Sequence, residues 1–243
     1  MLRLRCLIAC LGCLAALAKT PEERLMKFHE AYAGKWPVTM TYVRDVVWTE
    51  YNKHETYRRY HAVKFPNKMR EDIDINAGTS NITVSGNAFV IQKFKYRGSL
   101  PALRDLENFI SMYCYSESFD SVKNYLITEG VDLTKGYQGL WKGKKVYIIG
   151  AASISDSIST QIWYDEMDMY PVRVIRKFPY ELNRYEYRFV MRKTGDIWFP
   201  LEMEQYKNRR MTHKSTYSEV KTGMTLDPGV FNPDKFGSYI WYQ

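Results

Sequence analysis

Oxygen-bearing side chains recur at every second position of residues 72–76, a spacing that resembles the start of a calcium-binding loop. The rest of the loop pattern is missing. Glycine falls at loop position seven rather than six, and Thr83 stands where a bidentate Glu would be needed. The residues between the oxygen-bearing positions, Ile73 and Ile75, alternate as in a half-buried strand. The pattern therefore favours a strand over a cation site.

The histidines and carboxylates give no metal or catalytic pattern either. Of the four histidines, His54 and His61 are seven residues apart in a predicted strand and so point to opposite faces. Glu202 and Glu204 share a strand face, as glycosidase acids would, but they stand among other polar residues and are better explained as solvated charge. No nucleophile elbow, phosphate loop or dinucleotide fingerprint occurs. We expect a protein that is not an enzyme and uses no cofactor or metal.

The N-terminus has the organisation of a signal peptide. Arg3 and Arg5 supply positive charge before an apolar run at residues 6–17, and residues 16–18 (Ala-Leu-Ala) form a small-x-small cleavage site. The apolar run is too short for a comfortable membrane span. We therefore expect export to the periplasm, a signal peptide over residues 1–18 and a single domain over residues 19–243.

Signal cleavage would also change the cysteine inventory. Cys6, Cys10 and Cys13 would leave with the signal, so the mature chain would keep Cys114 alone and a charge of +8 − 2 = +6. Cys114 lies on a predicted amphipathic helix without a basic neighbour, which favours a buried, unreactive thiol. The alternative is a lipid anchor on Cys10 or Cys13, because residues 7–10 resemble a lipobox.

Positive charge is spread through the chain rather than concentrated. The 35 Lys and Arg residues stand among 27 Asp and Glu residues without a dense basic block, for a formal net charge of +8. This arrangement favours an ordinary basic surface, one that could face anionic lipid, over specific nucleic-acid binding. Hydrophobic residues make up 45% of the chain, which is enough for a sizeable core.

Two hydrophobic periods divide the chain into helices and strands. Residues 20–23 (Thr-Pro-Glu-Glu) form an N-cap with a capping box and predict a helix that ends near Gly34. Apolar residues at three-to-four spacing predict two more helices, over residues 99–115 and 119–129. Short connections join the strands predicted within residues 144–178 into an antiparallel meander. A period of two also predicts strands over residues 38–49, 56–65, 68–75, 82–84, 88–96, 185–191, 198–206 and 211–220, the last two as a hairpin around residues 208–209.

The strand predicted at residues 68–75 assigns its side chains to two faces. Alternation places Met69, Ile73 and Ile75 toward the interior. The same alternation places Lys68, Arg70, Asp72 and Asp74 on an outer, wetter face.

The order of elements resembles the LolA/LolB-like superfamily of bacterial periplasmic lipoprotein carriers, in which LppX-type and RseB-type domains share the fold. The nearer likeness is to the outer-membrane lipoprotein-sorting-protein-like members. It runs over nearly all of the mature chain and is carried by residues 65–70 (FPNKMR), 146–151 (VYIIGA), 161–165 (QIWYD), 171–175 (PVRVI), 217–220 (YSEV) and 231–233 (FNP). Each of these segments is strand and turn chemistry, and their order makes the resemblance.

The resemblance implies a mainly β (α+β) fold, with a strongly curved antiparallel sheet that forms an unclosed half-barrel and helices that cover its concave face. It implies a non-catalytic carrier or binder of lipid or lipoprotein acyl chains, monomeric, with proteins of the inner or outer membrane as candidate partners and no nucleic acid. The alternative is an RseB-like envelope sensor or a protein-binding scaffold with the same fold. We expect an apolar cavity lined by Met69, Ile73, Ile75, Phe89, Ile91, Leu106, Ile110 and Trp163.

Overall fold

One antiparallel sheet dominates the computed structural model, which describes residues 19–49, 55–74, 78–92, 95–101, 105–178, 181–236 and 241–242. Within these residues the sheet has 13 strands in the order β6-β5-β4-β3-β2-β1-β13-β12-β11-β10-β9-β8-β7. The strands are β1 (Thr39–Trp48), β2 (Glu55–Lys64), β3 (Lys68–Asp74), β4 (Thr79–Val84), β5 (Asn87–Gln92), β6 (Lys95–Pro101), β7 (Gly136–Trp141), β8 (Lys144–Ile149), β9 (Gln161–Asp165), β10 (Pro171–Lys177), β11 (Arg184–Thr194), β12 (Ile197–Lys207) and β13 (Arg210–Thr222).

Two meanders make up the sheet, and the pairing of β1 with β13 joins them. Strands β6 and β7 are the two edges, so the described sheet does not close. The chain runs from one edge to the other through α2 (Leu106–Asn108), a π-helical turn (Phe109–Tyr113), a 3₁₀ turn (Cys114–Ser116) and α3 (Phe119–Thr128). We call residues 106–116 the cover segment. Its buried side chains pack with one face of the sheet, which confirms the expected fold class.

Helix α1 (Pro21–Glu30) begins where the capping pattern predicts. The Glu23 backbone N–H donates to Thr20 Oγ1 at 3.2 Å, and the Thr20 N–H donates to Glu23 Oε2 at 2.8 Å. This reciprocal capping satisfies two backbone donors at the helix start. Phe28, on the buried side of α1, stacks on Tyr164 of β9 with ring centroids 4.5 Å apart. The helix is thereby fixed to the β7–β10 end of the sheet.

The two faces of the sheet bury different clusters. The inner face, toward the helices, carries the largest cluster, which includes Met40 and Phe199. On the outer face Trp163 belongs to a second cluster. Ala62 packs in a third cluster with Phe231 of the C-terminal segment, by which we mean the described residues after β13, 223–236 and 241–242. Both faces of a strand can therefore be dry in this protein.

Strand β3 has the predicted alternation, but its outer face is not wet. Arg70 and Asp72 are only 2% and 1% exposed. Arg70 Nη1 donates to the Val230 carbonyl at 3.3 Å, and Trp241 Nε1 donates to Asp72 Oδ2 at 3.2 Å. The prediction of a wetter face is wrong at these two positions because the C-terminal segment covers them. Asp74 is exposed as predicted.

Two edge strands were not predicted. Residues 99–101 belong to β6, so the predicted helix over residues 99–115 begins too early. Strand β7 contains Gly136 and Gly139, which weaken a strand signal because glycine has no side chain to pack. The absence of a side chain allows β7 to pack closely against β8, because a Cβ on Gly136 would lie 2.9 Å from the Ile148 carbonyl oxygen.

Candidate functional site

A cavity of about 190 Å³ lies between strands β1–β4 and the cover segment. Its apolar wall is formed by Met69, Phe109, Met112 and Tyr113. Its polar wall is formed by Arg44, His61 and Glu71 on the inner face of the sheet, together with Asn67 and Lys68 of the β2–β3 connection, Thr83, Asp105 and Asn108. The lining of the cavity is therefore amphipathic, with some groups suited to hydrocarbon and others to a polar group.

The cover segment reaches β3 through ring and sulfur contacts. Tyr113 donates from its hydroxyl to Met69 Sδ at 3.1 Å, and its ring meets Phe65 edge-on with centroids 5.2 Å apart. Phe109 is buried, and its ring centroid lies 4.1 Å from that of Tyr125 on α3. The π-helical turn carries both Phe109 and Tyr113, and such turns are frequent at functional sites.

Glu71 is the acidic centre of the polar wall. Arg59 Nη1 donates to Glu71 Oε1 at 2.9 Å, and Asn81 Nδ2 donates to Glu71 Oε2 at 3.3 Å. Burial by itself would raise the pKa of Glu71, but His61 and Arg59 outweigh it and lower the pKa to about 2. Glu71 is therefore charged and paired at neutral pH.

His61 is buried beside this carboxylate as a neutral ring. It stacks on Tyr42 with ring centroids 4.5 Å apart and an interplanar angle of 10°. Its Nε2 lies 3.6 Å from Glu71 Oε1, and neither ring nitrogen has a hydrogen-bond partner among the described residues. Burial lowers the pKa of His61 to about 4 despite the opposite influence of Glu71.

Arg44 is the cation of the polar wall. Its Nε donates to Ser215 Oγ at 3.0 Å, and its guanidinium carbon lies 5.7 Å from the ring centroid of Tyr217. Burial opposes the charge, but Tyr217 and Glu71 outweigh it and raise the pKa of Arg44. Within the part of the chain that the structure describes, no carboxylate lies within 4.0 Å of this guanidinium. Arg44 is thus a partly buried cation that has no ion pair among these residues and lies next to apolar side chains.

Glu107 of the cover segment is a second unusual carboxyl group. It is 7% exposed, and its Oε2 has no hydrogen-bond partner among the described residues. Burial, with the nearby Asp105 charge, raises its pKa to about 7. The ionised form is therefore disfavoured in the folded protein.

The predicted cavity residues fall into different environments. Met69 lines the cavity, and it alone of the eight does so among the described residues. Leu106 and Ile110 are fully buried between the cover segment and the inner face. Ile73 is half-buried, and Ile75 lies outside the described residues.

The other three predicted residues lie on the outer face. Phe89 pairs with Ile82, which pairs with Arg70, so Phe89 shares the outer face with Arg70. Ile91 lies two residues further along β5 on the same side and is buried. Trp163 belongs to the outer cluster. Alternation within one strand does not say which of its faces points toward the helices.

Sequence reasoning missed the polar wall, although a signal was present. On β1, Arg44 stands in phase with the apolar residues Met40 and Tyr42, and on β3 Glu71 stands in phase with Met69. A charge at an inward position of an otherwise apolar stripe indicates a buried ion pair or a ligand contact. No group of His, Cys, Asp and Glu in the described residues could hold a metal ion.

Solved structures show the same fold. An outer membrane lipoprotein-sorting protein domain from Vibrio parahaemolyticus matches with a TM-score of 0.57 and 11% identity over 87% of this chain and 96% of its own. A LolA superfamily protein from Nitrosomonas europaea matches at 0.54 and 12% over 88% and 98%. A DUF1329 family protein from Desulfovibrio piger matches at 0.57 and 12% over 89% and 97%. The chain therefore has a LolA-like fold.

At the sequence level no protein-family model and no curated protein matches the chain. In the described residues no helix has the length and apolarity needed to cross a membrane.

Proposed function

We propose that the chain is a non-catalytic binding protein that holds the acyl part of a lipid or lipoprotein in the cavity beneath the cover segment. The observation that carries the proposal is the amphipathic lining of this cavity, which combines Met69, Phe109 and Met112 with Arg44, a cation that has no ion pair among the described residues. An acyl chain offers only apolar area for recognition, at about 0.8 kcal/mol per buried methylene. A polar head would find its partner at Arg44.

The size of the cavity limits the ligand that it can hold in the observed conformation. About 190 Å³ is smaller than the usual range for small-molecule sites, so it takes one acyl chain in part rather than a whole lipid. A larger cargo requires the cover segment to move away from β3. The contacts of Tyr113 with Met69 and Phe65 are of a kind that apolar cargo can replace.

Export to the periplasm completes the proposal. A carrier for acyl chains works between two membranes, and the N-terminal pattern of the sequence is that of an exported protein. The likeness to a lipoprotein-sorting domain and to a LolA superfamily protein supports this placement. Membrane proteins that deliver or receive the cargo would be the partners.

A second candidate, a scaffold that binds a protein partner, is favoured by the filling of the interior. Much of the space under the helices is occupied by the protein's own rings, among them Phe28, Trp36, Tyr115 and Phe199. A filled interior stabilises the fold without a ligand. The two candidates differ in one observable, the presence of bound lipid.

Two measurements test the carrier function. Lipids extracted from natively purified protein should be detected by mass spectrometry at a stoichiometric level. A fluorescent fatty acid should bind the wild-type protein and lose affinity at least tenfold in Met69→Trp, because the indole would occupy the cavity. Met167→Trp is the matched control, since Met167 is exposed in a turn.

The control separates the outcomes. Loss of probe binding in Met69→Trp but not in Met167→Trp, with both variants folded by circular dichroism, supports the carrier. Equal affinity in the two variants contradicts it. Absence of both lipid and probe binding in the wild type favours the scaffold.

A further inference from the structure

A second concave site lies on the outer face of β10 and β11, away from the cavity. It has a volume of about 370 Å³ and is lined by Ser157, Arg173, Arg184, Glu186, Arg188 and Arg209. Arg173 and Arg188 are paired across the two strands, and Arg209 comes from the β12–β13 turn. Segments distant in sequence thus bring four arginines to one place.

The charges in this site do not balance. Glu186 Oε1 accepts from Arg173 Nε at 2.9 Å and from Arg188 Nε at 2.7 Å, and Glu186 Oε2 accepts from Arg184 Nη1 at 3.0 Å. One carboxylate therefore serves three guanidinium groups. Among the residues that line the site, these three carry a surplus of two positive charges and Arg209 adds a third. Glu204, opposite Arg188 on β12, supplies one further negative charge beside them. Each guanidinium has five N–H donors, far more than a single carboxylate can accept.

The arginines are held in place before any ligand binds. The guanidinium carbon of Arg173 lies 4.4 Å from the ring centroid of Trp163 and 4.6 Å from that of Trp141. That of Arg188 lies 4.0 Å from the ring of Tyr206. Stacking on aromatic rings fixes the plane of a guanidinium and leaves its edge for hydrogen bonds. The side chain of Glu186 is 3% exposed, so it neutralises the site from below.

The arginines of this site repel one another. Burial and the nearby Arg184 and Arg188 charges lower the pKa of Arg173, although Glu186 opposes them. Arg184 Nε is buried and has no hydrogen-bond partner among the described residues. An anion with several oxygens would relieve the repulsion and accept from the donors that Glu186 leaves unused.

We infer that this outer site binds a phosphoryl group. Several planar forks around one small concavity match a tetrahedral group with three peripheral oxygens better than they match a single planar carboxylate. The group could be carried by a soluble phosphate compound or by a phospholipid headgroup, and the chemistry of recognition is the same. The inference is independent of the proposed acyl cavity, which lies on the inner face.

Calorimetric titration with inorganic phosphate and with pyrophosphate, at constant ionic strength set with chloride, tests the site. The wild type should bind, and Arg188→Gln should weaken binding by about tenfold or more, since hydrogen bonds between charged groups are the stronger kind. Arg209→Gln is a second variant, because Arg209 is exposed in a turn and its loss should leave the fold intact.

The matched control is Arg58→Gln. Arg58 lies on β2 in a one-to-one bidentate pair with Asp45, with distances of 2.9 and 3.0 Å. The Arg58→Gln substitution therefore removes the same charge at a place away from the outer site. Weakening confined to Arg188→Gln and Arg209→Gln supports the site. Equal weakening in Arg58→Gln overturns it. A wild-type protein that binds neither soluble phosphate nor phosphatidylglycerol vesicles also overturns it.

Vesicles distinguish the two sources of the phosphoryl group. Binding to phosphatidylglycerol vesicles but not to free phosphate, again lost in Arg188→Gln and retained in Arg58→Gln, assigns the site to a lipid headgroup. Binding to free phosphate without vesicle binding assigns it to a soluble compound. The fatty-acid probe should bind all three variants as it binds the wild type, so failure here and failure of the acyl cavity can be told apart.

Discussion

Arg70 Nε donates to Asp72 Oδ1 at 2.8 Å within strand β3, and both side chains are almost completely removed from water. The ring centroid of Phe236 lies 4.9 Å from the Arg70 guanidinium carbon, and Trp241 donates to the same Asp72 carboxylate. The ion pair therefore ties the C-terminal segment to the outer face of the sheet. A buried pair of this kind is sensitive to the loss of either partner, because the remaining charge has no water to solvate it.

Removing Asp72 should be strongly destabilising. Asp72→Ala leaves Arg70 charged under the C-terminal segment, and we expect a loss of about 3–5 kcal/mol in the free energy of unfolding. Asp45→Ala breaks the partly exposed pair with Arg58 and should cost about 1 kcal/mol or less. Urea denaturation at pH 7 measures both. Similar losses in the two variants would show that the C-terminal segment does not cover β3 in solution.

Removing the charge of Glu107 should increase the stability of the folded protein above neutral pH. Its pKa of about 7 in the folded protein is above the ordinary 4.5. The contribution of protonated Glu107 to the free energy of unfolding is therefore fully present below about pH 4.5 and is lost as the pH rises through 7. Glu107→Gln mimics the protonated acid and should be more stable than wild type by up to about 3 kcal/mol at pH 8, but by no more than about 1 kcal/mol at pH 5. Glu30→Gln, on the exposed side of α1, should be nearly neutral at both values. A Glu107→Gln protein less stable at pH 8 would mean that the carboxylate has a partner there.

His61 makes stability fall on acidification. Its pKa of about 4 in the folded protein is below the ordinary 6.5, so the unfolded chain takes up the proton first and stability decreases as the pH falls from 6.5 toward 4. His61→Phe keeps a ring against Tyr42 and should reduce the stability difference between pH 7.5 and pH 5 by about 2 kcal/mol. His213, whose pKa burial also lowers to about 4, remains in both proteins and keeps part of the slope. An unchanged slope would place His61 in water.

Gly150 should tolerate no side chain. It has φ of +99°, and a Cβ there would lie 2.2 Å from the Thr160 carbonyl oxygen. Gly143 has φ of +81° with open space around it, so Gly143→Ala reports the backbone strain alone, about 1–2 kcal/mol. Gly150→Ala should cost at least about 2 kcal/mol more, because the β8–β9 connection must move. Equal melting temperatures for the two variants would contradict this close approach.

Several element boundaries follow from short-range patterns, whereas the half-barrel was expected from the family resemblance that the order of the elements makes. The capping box at Thr20 fixes the start of α1, and a turn at Asn208 and Arg209 with positive φ joins β12 to β13 as expected. Such signals are reliable because the groups that interact are within a few residues of one another. Strands β6 and β7 were not predicted because they are edge strands, which need fewer apolar residues than central ones. In β7 the glycines also allow close packing against β8, where a strand pattern would show larger side chains.

The sequence by itself determined which residues share a strand face, as the alternation of Met69 with Arg70 and Asp72 shows. Only the tertiary structure decided what covers each face. Asp72 is dry because Trp241 lies on it, and Arg44 faces a cavity because the cover segment lies over the inner face of β1. The physical reason is range: alternation is a property of neighbouring backbone units, whereas burial depends on partners that meet only after the sheet and its connections have assembled.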